Sequence, residues 1–398
     1  MQVLAPLAGI LAVLHGGSAG LPAGTAPHLP PVLLIQAGET SPDARLEQGF
    51  TLLKSRSPAD HSEAFELFDQ AVKADPDNLR AYAGRGSAYL RKSEPELAIT
   101  DLNKAIRGNP KDIEALKDRG KAWLLKNQPD AAMADFDAAL AINPQDTDTI
   151  YNRGVVLLAK GELDPAIAIF DMVITRQPDD ASGYGERGYA YMLKGDPDKA
   201  LADFDRALEL NPNHLMAHNN RGVVFTQKED YGKALAAFDK ALGQNPENGQ
   251  AYSNRGYVYS QLGEQRLAIR DFDEAVKRDY LDALLHRGVT YLEIGNTQMA
   301  IADFGEAIRR NHLTADAYLW RSKAFEKAGQ FNQAIRDMNV LIQLSPQNGE
   351  YYLGRGLLHL QAGDQGRARE DLQKTLELEP GNEEAKKALD SLGTGNPD

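Results

Sequence analysis

Few residues of the chain are of types that could bind a metal or catalyse a reaction, and their spacing is poorly suited to either role. His214 and His218 lie four residues apart, a spacing that can place two metal ligands on one helix face. His218, however, occupies the register that Tyr184 and Tyr252 hold in neighbouring segments, which favours a packing role. The chain contains no cysteine, which excludes disulfides, thiolate metal sites and a cysteine nucleophile. We therefore predict no metal site.

Two glycine patterns match known motifs by spacing alone. Gly183, Gly185 and Gly188 have the spacing of GxGxxG but fall inside a predicted helix rather than after a strand. Residues 16–20 match GxSxG without the strand, turn and helix that a nucleophile elbow needs. The chain has no GxxxxGK[ST] loop and no HExxH pair. We predict no catalytic residue, no cofactor and no enzyme activity, with an unrecognised enzyme as the third of three alternatives.

Composition describes an acidic, folded protein. The 398 residues include 57 acidic and 44 basic side chains, so the formal net charge is −13. The hydrophobic fraction of 42% is sufficient for a core and argues against global disorder. Nucleic acids and anionic membranes both attract clustered positive charge, so we predict that neither is a partner.

The first 43 residues differ from the rest and are predicted to be a leader. Val3 to Leu14 is an apolar run of 12 residues, too short to span a bilayer, so no stable membrane insertion is predicted. Small residues follow, with plausible cleavage points after Ala19 or Ala26, as in a signal peptide. The basic region that usually precedes such a run is missing. We expect export to the periplasm or outside the cell; the alternatives are a disordered leader or misassigned start codon in a cytoplasmic protein.

From residue 44 onward the chain repeats itself. Arg-Gly pairs recur at a 34-residue interval from Arg85-Gly86 to Arg255-Gly256. A shortened interval of 32 residues leads to Arg287-Gly288, and the 34-residue spacing then resumes. With Gly49 as the first member, this makes ten units. An alanine follows each later small residue by 12 positions, a large apolar residue comes four positions after that, and proline closes most units. Apolar spacing between these marks is helical.

This pattern resembles the tetratricopeptide repeat family, whose period is 34 with Gly, Ala, Phe and Pro at these places. The pentatricopeptide family is the nearest rival, but its period of 35 and its RNA binding fit neither the spacing nor the charge. The resemblance implies an all-α, right-handed superhelical solenoid of about ten helix-turn-helix units over residues 44–382. Residues 383–392 are predicted to form a capping helix, because the last unit would otherwise expose its apolar side, and 393–398 a flexible tail.

One departure from the family pattern is an Arg before the small residue in nine units, where Leu is common. An Asp recurs one residue before the large apolar residue of the second helix, as at Asp101, Asp203 and Asp371. A guanidinium lodged at a packing surface without a partner would be costly. We predict that Arg and Asp pair within a unit or between neighbours as a repeated internal ladder.

The resemblance also implies a concave groove lined by the first helix of each unit. Its middle is apolar and aromatic, and its ends are charged, for example at Lys117 and Lys121. Three asparagines lie two residues before glycine, where relatives bond a peptide backbone. The predicted peptide-binding groove residues are Tyr151, Asn152, Val155, Leu158, Tyr189, Met192, Asn220, Val223, Asn254 and Tyr257. The alternative is that the apolar strip fills contacts between adjacent first helices.

The resemblance allows one specific function to be tested. Co-chaperones of this family hold a C-terminal carboxylate with Lys, Asn and Arg from three successive units. Lys117, Lys121 and Asn152 match part of that set, but Ser182 and Glu186 stand where Lys and Arg are needed. We therefore predict a non-enzymatic scaffold or adaptor that binds a peptide segment of a partner protein in the groove. The alternative is an accessory or regulatory subunit of an envelope or secretion-related enzyme complex that uses the convex face and the ends.

Overall fold

The computed structural model describes residues 41–55, 57–310 and 314–393. Nearly all of the predicted leader, including both cleavage points, and most of the predicted tail lie outside the described residues. Within the described ranges all regular structure is helical, in 21 helices with no strand, so the predicted all-α class is confirmed. None of these helices combines the length and apolarity that crossing a membrane requires.

The described chain divides into two compact blocks, an N-terminal block that ends at Val224 and a C-terminal block that begins at Phe225. The N-terminal helices are α1 (Pro42–Leu52), α2 (Pro58–Ala74), α3 (Leu79–Arg91), α4 (Pro95–Gly108), α5 (Ile113–Leu125), α6 (Pro129–Ile142), α7 (Thr147–Ala159), α8 (Leu163–Arg176), α9 (Ala181–Lys194) and α10 (Pro197–Leu210). Helix α11 (Leu215–Gln227) contains the boundary.

The C-terminal block continues with ten further helices. They are α12 (Tyr231–Gln244), α13 (Gly249–Gln261), α14 (Gln265–Lys277), α15 (Asp282–Glu293), α16 (Thr297–Arg309), α17 (Thr314–Lys327), α18 (Phe331–Leu344), α19 (Gly349–Gln361), α20 (Gln365–Leu378) and α21 (Glu383–Ser391). Each odd-numbered helix up to α19 is the first helix of a repeat, and the next even-numbered helix is its second. In each block the main contacts join helices adjacent in sequence, and first helices also touch the first helix of the next repeat. This nearest-neighbour packing is that of a solenoid.

Local sequence sets where each helix begins and ends. An Asp or Asn side chain caps many first helices; the Asp146 side chain, for example, accepts a hydrogen bond from the backbone N–H of Thr149 at the start of α7. Proline occupies the first turn of several second helices, where its missing N–H costs nothing, as in α10. Gly195 ends α9 with φ of 82°, a left-handed conformation that glycine adopts without strain.

The core of seven repeats is a phenylalanine of the second helix set against a glycine of the first. Leu102, Met338 and Leu372 take the place of the phenylalanine in the other three repeats. Phe170 is fully buried, and a Cβ added to Gly154 would lie 2.7 Å from its Cε1 atom. Six other phenylalanines in the same register are also fully buried. At the C-terminal end, Leu389 and Leu392 of the α21 region pack against the cluster formed by Leu353, Leu372 and Ala385. Burial of these apolar side chains covers the last repeat.

Candidate functional site

The repeated arginines are internal links rather than ligand-facing groups. In the fifth repeat, Arg187 donates two hydrogen bonds to the carboxylate of Asp203, from Nε at 2.8 Å and from Nη2 at 2.7 Å. The same bidentate pair forms in other repeats and confirms the predicted ladder; its members are Arg85–Asp101, Arg119–Asp135, Arg255–Asp271, Arg287–Asp303, Arg321–Asp337 and Arg355–Asp371. Two parallel N–H···O bonds give each pair strength and a defined geometry.

Every ladder arginine except Arg321 also donates a hydrogen bond to the preceding repeat, to a second partner that the sequence did not predict. Nη1 of Arg187 donates to Asp171 of the fourth repeat at 2.6 Å, and Nη1 of Arg85 donates to Asp69 of the first repeat at 2.8 Å. This second partner follows the buried phenylalanine directly, whereas the predicted partner precedes it. The Asp-Phe-Asp tripeptide around Phe204, for example, contains an Asp on each side of the phenylalanine. The second Asp is the sequence feature that could have indicated the additional partner.

Most of the predicted groove residues of the N-terminal block lie inside it. Val155, Leu158, Tyr189 and Met192 are buried members of one core cluster, with Tyr151 and Val223 packed against it. Asn152 and Asn220 are also buried. The expectation of an open apolar strip is therefore wrong for these side chains, because adjacent first helices approach closely enough to cover them. Their part in peptide binding stays a prediction.

The C-terminal block holds the remaining two predicted groove residues. Asn254 and Tyr257 are both partly exposed on α13. The Tyr257 ring lies 5.8 Å from the ring of His286 on α15, the first helix of the next repeat. Burial lowers the pKa of His286, so its imidazole is neutral at pH 7.

The polar group that stands out in the N-terminal block is Glu186 on α9. Its side chain is 3% exposed, and its Oε1 accepts a hydrogen bond of 3.4 Å from the Tyr151 hydroxyl on α7. Within the described residues this is its only hydrogen bond, and no cation pairs with it. We call these two side chains the Tyr151–Glu186 cluster. From the sequence alone, the only role indicated for Glu186 is that of a negative charge that would repel a carboxylate.

Burial controls the ionisation of the Tyr151–Glu186 cluster. Loss of solvation raises the pKa of the Glu186 carboxyl to about 8, although the hydrogen bond from Tyr151 acts in the opposite direction. Burial, followed by the nearby Glu186 charge, raises the pKa of the Tyr151 hydroxyl well above 10. At pH 7 the cluster therefore consists of a protonated acid and a neutral phenol, an uncommon state for a glutamate.

Comparison with known proteins identifies the repeat. One tetratricopeptide repeat model matches residues 59–113, 93–147, 186–249, 253–312, 287–349 and 321–383, and a second matches residues 124–185. The chain belongs to the tetratricopeptide repeat family. No curated protein matches it.

Solved structures resemble the chain, two of them with TM-scores above 0.5. The APC/C hetero-tetramer Cut9–Hcn1 is 17% identical with a TM-score of 0.52, over 88% of this chain and 76% of that one. The human IFIT1 dimer with m7Gppp-AAAA is 16% identical with a TM-score of 0.51, over 86% and 91%. A MamA structure from Desulfovibrio magneticus RS-1 is 25% identical with a TM-score of 0.38, over 43% and 96%. The first two likenesses show the fold alone.

The lysines that partly match the tetratricopeptide carboxylate clamp form ion pairs with acidic residues of the same chain. Lys117 is buried, which corrects its placement among the exposed groove charges, and its Nζ lies 3.0 Å from Glu114 and 3.4 Å from Asp146. Lys121 pairs with Asp118 at 3.3 Å. Together with the buried acid at Glu186, these pairs leave the positions of the carboxylate clamp unsuited to holding a carboxylate.

The two candidate metal ligands, His214 and His218, both lie within hydrogen-bonding distance of nearby backbone groups. Nδ1 of His214 accepts from the backbone N–H of Ala217 at 3.2 Å, and Nε2 of His218 lies 3.0 Å from the Pro212 carbonyl oxygen. Burial lowers the pKa of His214. In the part of the chain that the structure describes, no group of three or more His, Asp or Glu residues is arranged to hold a metal ion.

Proposed function

We propose that this tetratricopeptide repeat protein is a non-enzymatic scaffold that binds an extended segment of a partner protein along the first helices of its fourth and fifth repeats. Family membership supports a role in protein–protein interaction. The acidic charge of −13 disfavours nucleic acid as the partner. The proposed surface lies wholly within the N-terminal block.

The observation that carries this proposal is the Tyr151–Glu186 cluster together with Leu193 on the same helix. Glu186 and Leu193 are seven residues apart on α9, a spacing of two turns that places them on one helix face. Leu193 is 40% exposed although it is a large apolar residue. A buried acid without a cation and an exposed apolar side chain about 10 Å farther along the same helix face offer an extended ligand both a polar and an apolar contact.

Substitution of Leu193 tests the surface without disturbing the core. Extended peptides selected on the full chain from a displayed random library would be titrated against Leu193→Ser and a matched control, Met172→Ser. Met172 is 43% exposed on α8, a second helix of the same block. Since a buried leucine contact contributes about 1.5–3 kcal/mol, we expect at least tenfold weaker binding for Leu193→Ser and no change for the control.

The opposite result would contradict the proposal. Unchanged binding with Leu193→Ser and weakened binding with Met172→Ser would place the ligand on the second helices, as the accessory-subunit alternative predicts. We choose Leu193 over Tyr189 because Tyr189 belongs to the buried core cluster, and its truncation would weaken the fold itself.

A further inference from the structure

We infer that Glu186 is the receptor for one Lys or Arg side chain of the bound segment, so that the fifth repeat selects a positively charged residue in its partner. This inference rests on the proposed function and specifies the chemistry of that surface. It reverses the preference of a carboxylate clamp, because the group in the protein is itself the acid.

The first argument is that Glu186 lacks the partner that other buried acids of the block possess. Asp203 is buried to a similar degree, but Arg187 satisfies it with two charge-assisted hydrogen bonds. Glu186 has a single long bond from a neutral phenol. A buried carboxyl without a cation is costly unless it stays protonated or acquires a positive partner.

The second argument comes from the groups around Glu186, none of which is positively charged at pH 7. Tyr151 on α7 donates its hydroxyl, and burial and then Glu186 raise the pKa of Tyr189 on α9. The Asp180 side chain caps α9 and adds a negative charge, which raises the pKa of Tyr151. The His214 ring lies against Gly185, where an added Cβ would be 3.0 Å from Nε2, and burial keeps that ring neutral.

The third argument is the match between this environment and a Lys or Arg head group. Tyrosine ring faces attract cations, and the attraction grows where water is excluded. Glu186 is buried, with 3% of its surface exposed, so a slender charged head on a flexible stem reaches it only when the covering side chains move aside. The equivalent position holds the neutral amides of Asn152 and Asn220 in the two adjacent repeats. Acids recur at this position in the first and third repeats, but Glu47 pairs with Arg80 and Asp118 pairs with Lys121.

Binding of a cation must then release a proton. Near neutral pH the free protein holds Glu186 protonated, and an ammonium or guanidinium placed beside it favours the ionised form. Each bound Lys or Arg head therefore displaces one proton to solvent, and the affinity rises with pH until the carboxyl of the free protein is itself ionised.

The experiment uses the full chain and two small probes, N-acetyl-arginine amide and its neutral isostere N-acetyl-citrulline amide. The carboxyl carbon of Glu186 is followed by NMR while each probe is titrated at several pH values. We expect the arginine probe to lower the pKa of Glu186 and to bind at least tenfold more tightly than citrulline, as is typical of a hydrogen bond to a charged group. Equal effects of the two probes would overturn the inference.

Variants distinguish a preference for arginine that depends on the Glu186 carboxyl from one that depends on the overall negative charge of the block. Glu186→Gln preserves shape and should abolish the preference for arginine, whereas Tyr151→Phe leaves the acid in place and should retain it. Glu209→Gln, in an exposed pair with Arg206, removes one charge elsewhere in the block and should change nothing. An arginine preference that survives in Glu186→Gln would also overturn the inference.

These outcomes are independent of the test of the proposed function. Failure of Leu193→Ser to weaken peptide binding would reject the peptide surface and leave a cation site at Glu186. Weakened peptide binding with no arginine preference would preserve the surface and reject its cationic specificity.

Discussion

Arg187 and Asp171 link the fifth repeat to the fourth through a 2.6 Å hydrogen bond between Nη1 and the carboxylate. The remaining donors of the same guanidinium hold Asp203 within the fifth repeat. One side chain thus fixes a first helix against two second helices, its own and its neighbour's. Such interfaces between repeats determine the stability of a solenoid together with the repeats themselves.

The two acids bonded to Arg187 should differ in importance. Asp203 has 8% of its side chain exposed and Asp171 has 52%. Asp203→Asn leaves a largely buried guanidinium without its bidentate partner, and we expect it to cost about 3 kcal/mol. Asp171→Asn should cost less than about 1 kcal/mol, because water screens an exposed pair. Urea unfolding with hydrogen exchange of the α8–α10 amides checks this, and equal costs would contradict it.

Arg321 of the ninth repeat marks a place where the ladder can be completed. Its bond to Asp337 is present, but Gly305 occupies the position of the acid in the preceding repeat. A Cβ at Gly305 would lie 3.7 Å from Nη1 of Arg321, within reach for a carboxylate. We expect Gly305→Asp to stabilise the C-terminal block by about 1–2 kcal/mol through the new bond and a better helix propensity.

Gly305→Ala is the matched control for that substitution. It gains helix propensity without adding a hydrogen-bond acceptor, so it should recover only part of the effect. Thermal unfolding of both variants compares them directly. A Gly305→Asp variant no more stable than Gly305→Ala would show that the added carboxylate forms no useful bond with Arg321.

The glycine that faces the buried phenylalanine should not tolerate even a methyl group. At Gly188 an added Cβ would lie 2.9 Å from Phe204, whereas at Gly232 it would meet nothing within 4 Å. We expect Gly188→Ala to destabilise the fold by about 1–3 kcal/mol through overpacking. Gly232→Ala should stabilise it slightly, because alanine loses less conformational entropy in a helix. Unfolding midpoints in urea measure both, and a neutral Gly188→Ala would contradict the close packing.

Glu186 should make stability fall as pH rises. Its pKa is about 8 in the folded protein against an ordinary value of 4.5, so between these values the folded state holds a proton that the unfolded chain has lost. This stabilisation is complete below pH 4.5 and disappears as pH approaches 8, by up to about 1.4 kcal/mol per pH unit. Stability measured from pH 5 to 8 should decline less in Glu186→Gln than in the unsubstituted protein. Parallel curves would mean that Glu186 ionises normally.

The repeated helices could be predicted from the sequence, whereas the pairing of residues inside the repeats could be predicted only in part. The 34-residue recurrence of Gly, Ala and Phe indicated the helices because packing requires these sizes at these places. It also predicted that the recurring arginines and aspartates pair within a unit or between neighbours, since an unpaired buried guanidinium is costly. The structure then showed that Arg187 pairs with Asp203 of its own repeat. The bond to Asp171 was missed because a repeat pattern shows which residues recur, not which neighbour a forked side chain reaches.

Burial of the groove residues was the second point that the sequence did not reveal. Val155, Tyr189 and Met192 lie on first helices, but how closely those helices approach decides whether they are a surface or a core. Close packing of the same first helices also buries Glu186, which the sequence alone places on the surface of the groove. Helical register alone contains no information on that distance.

The sequence by itself determined the all-α class, the repeat boundaries and the arginine–aspartate pairing, because each follows from spacing along a chain of known period. Only the tertiary structure decided which side chains are accessible, which acids lack a cation and which arginines join neighbouring repeats. The physical reason is that accessibility and ionisation depend on the distance between helices, which many side chains set together and no single position encodes.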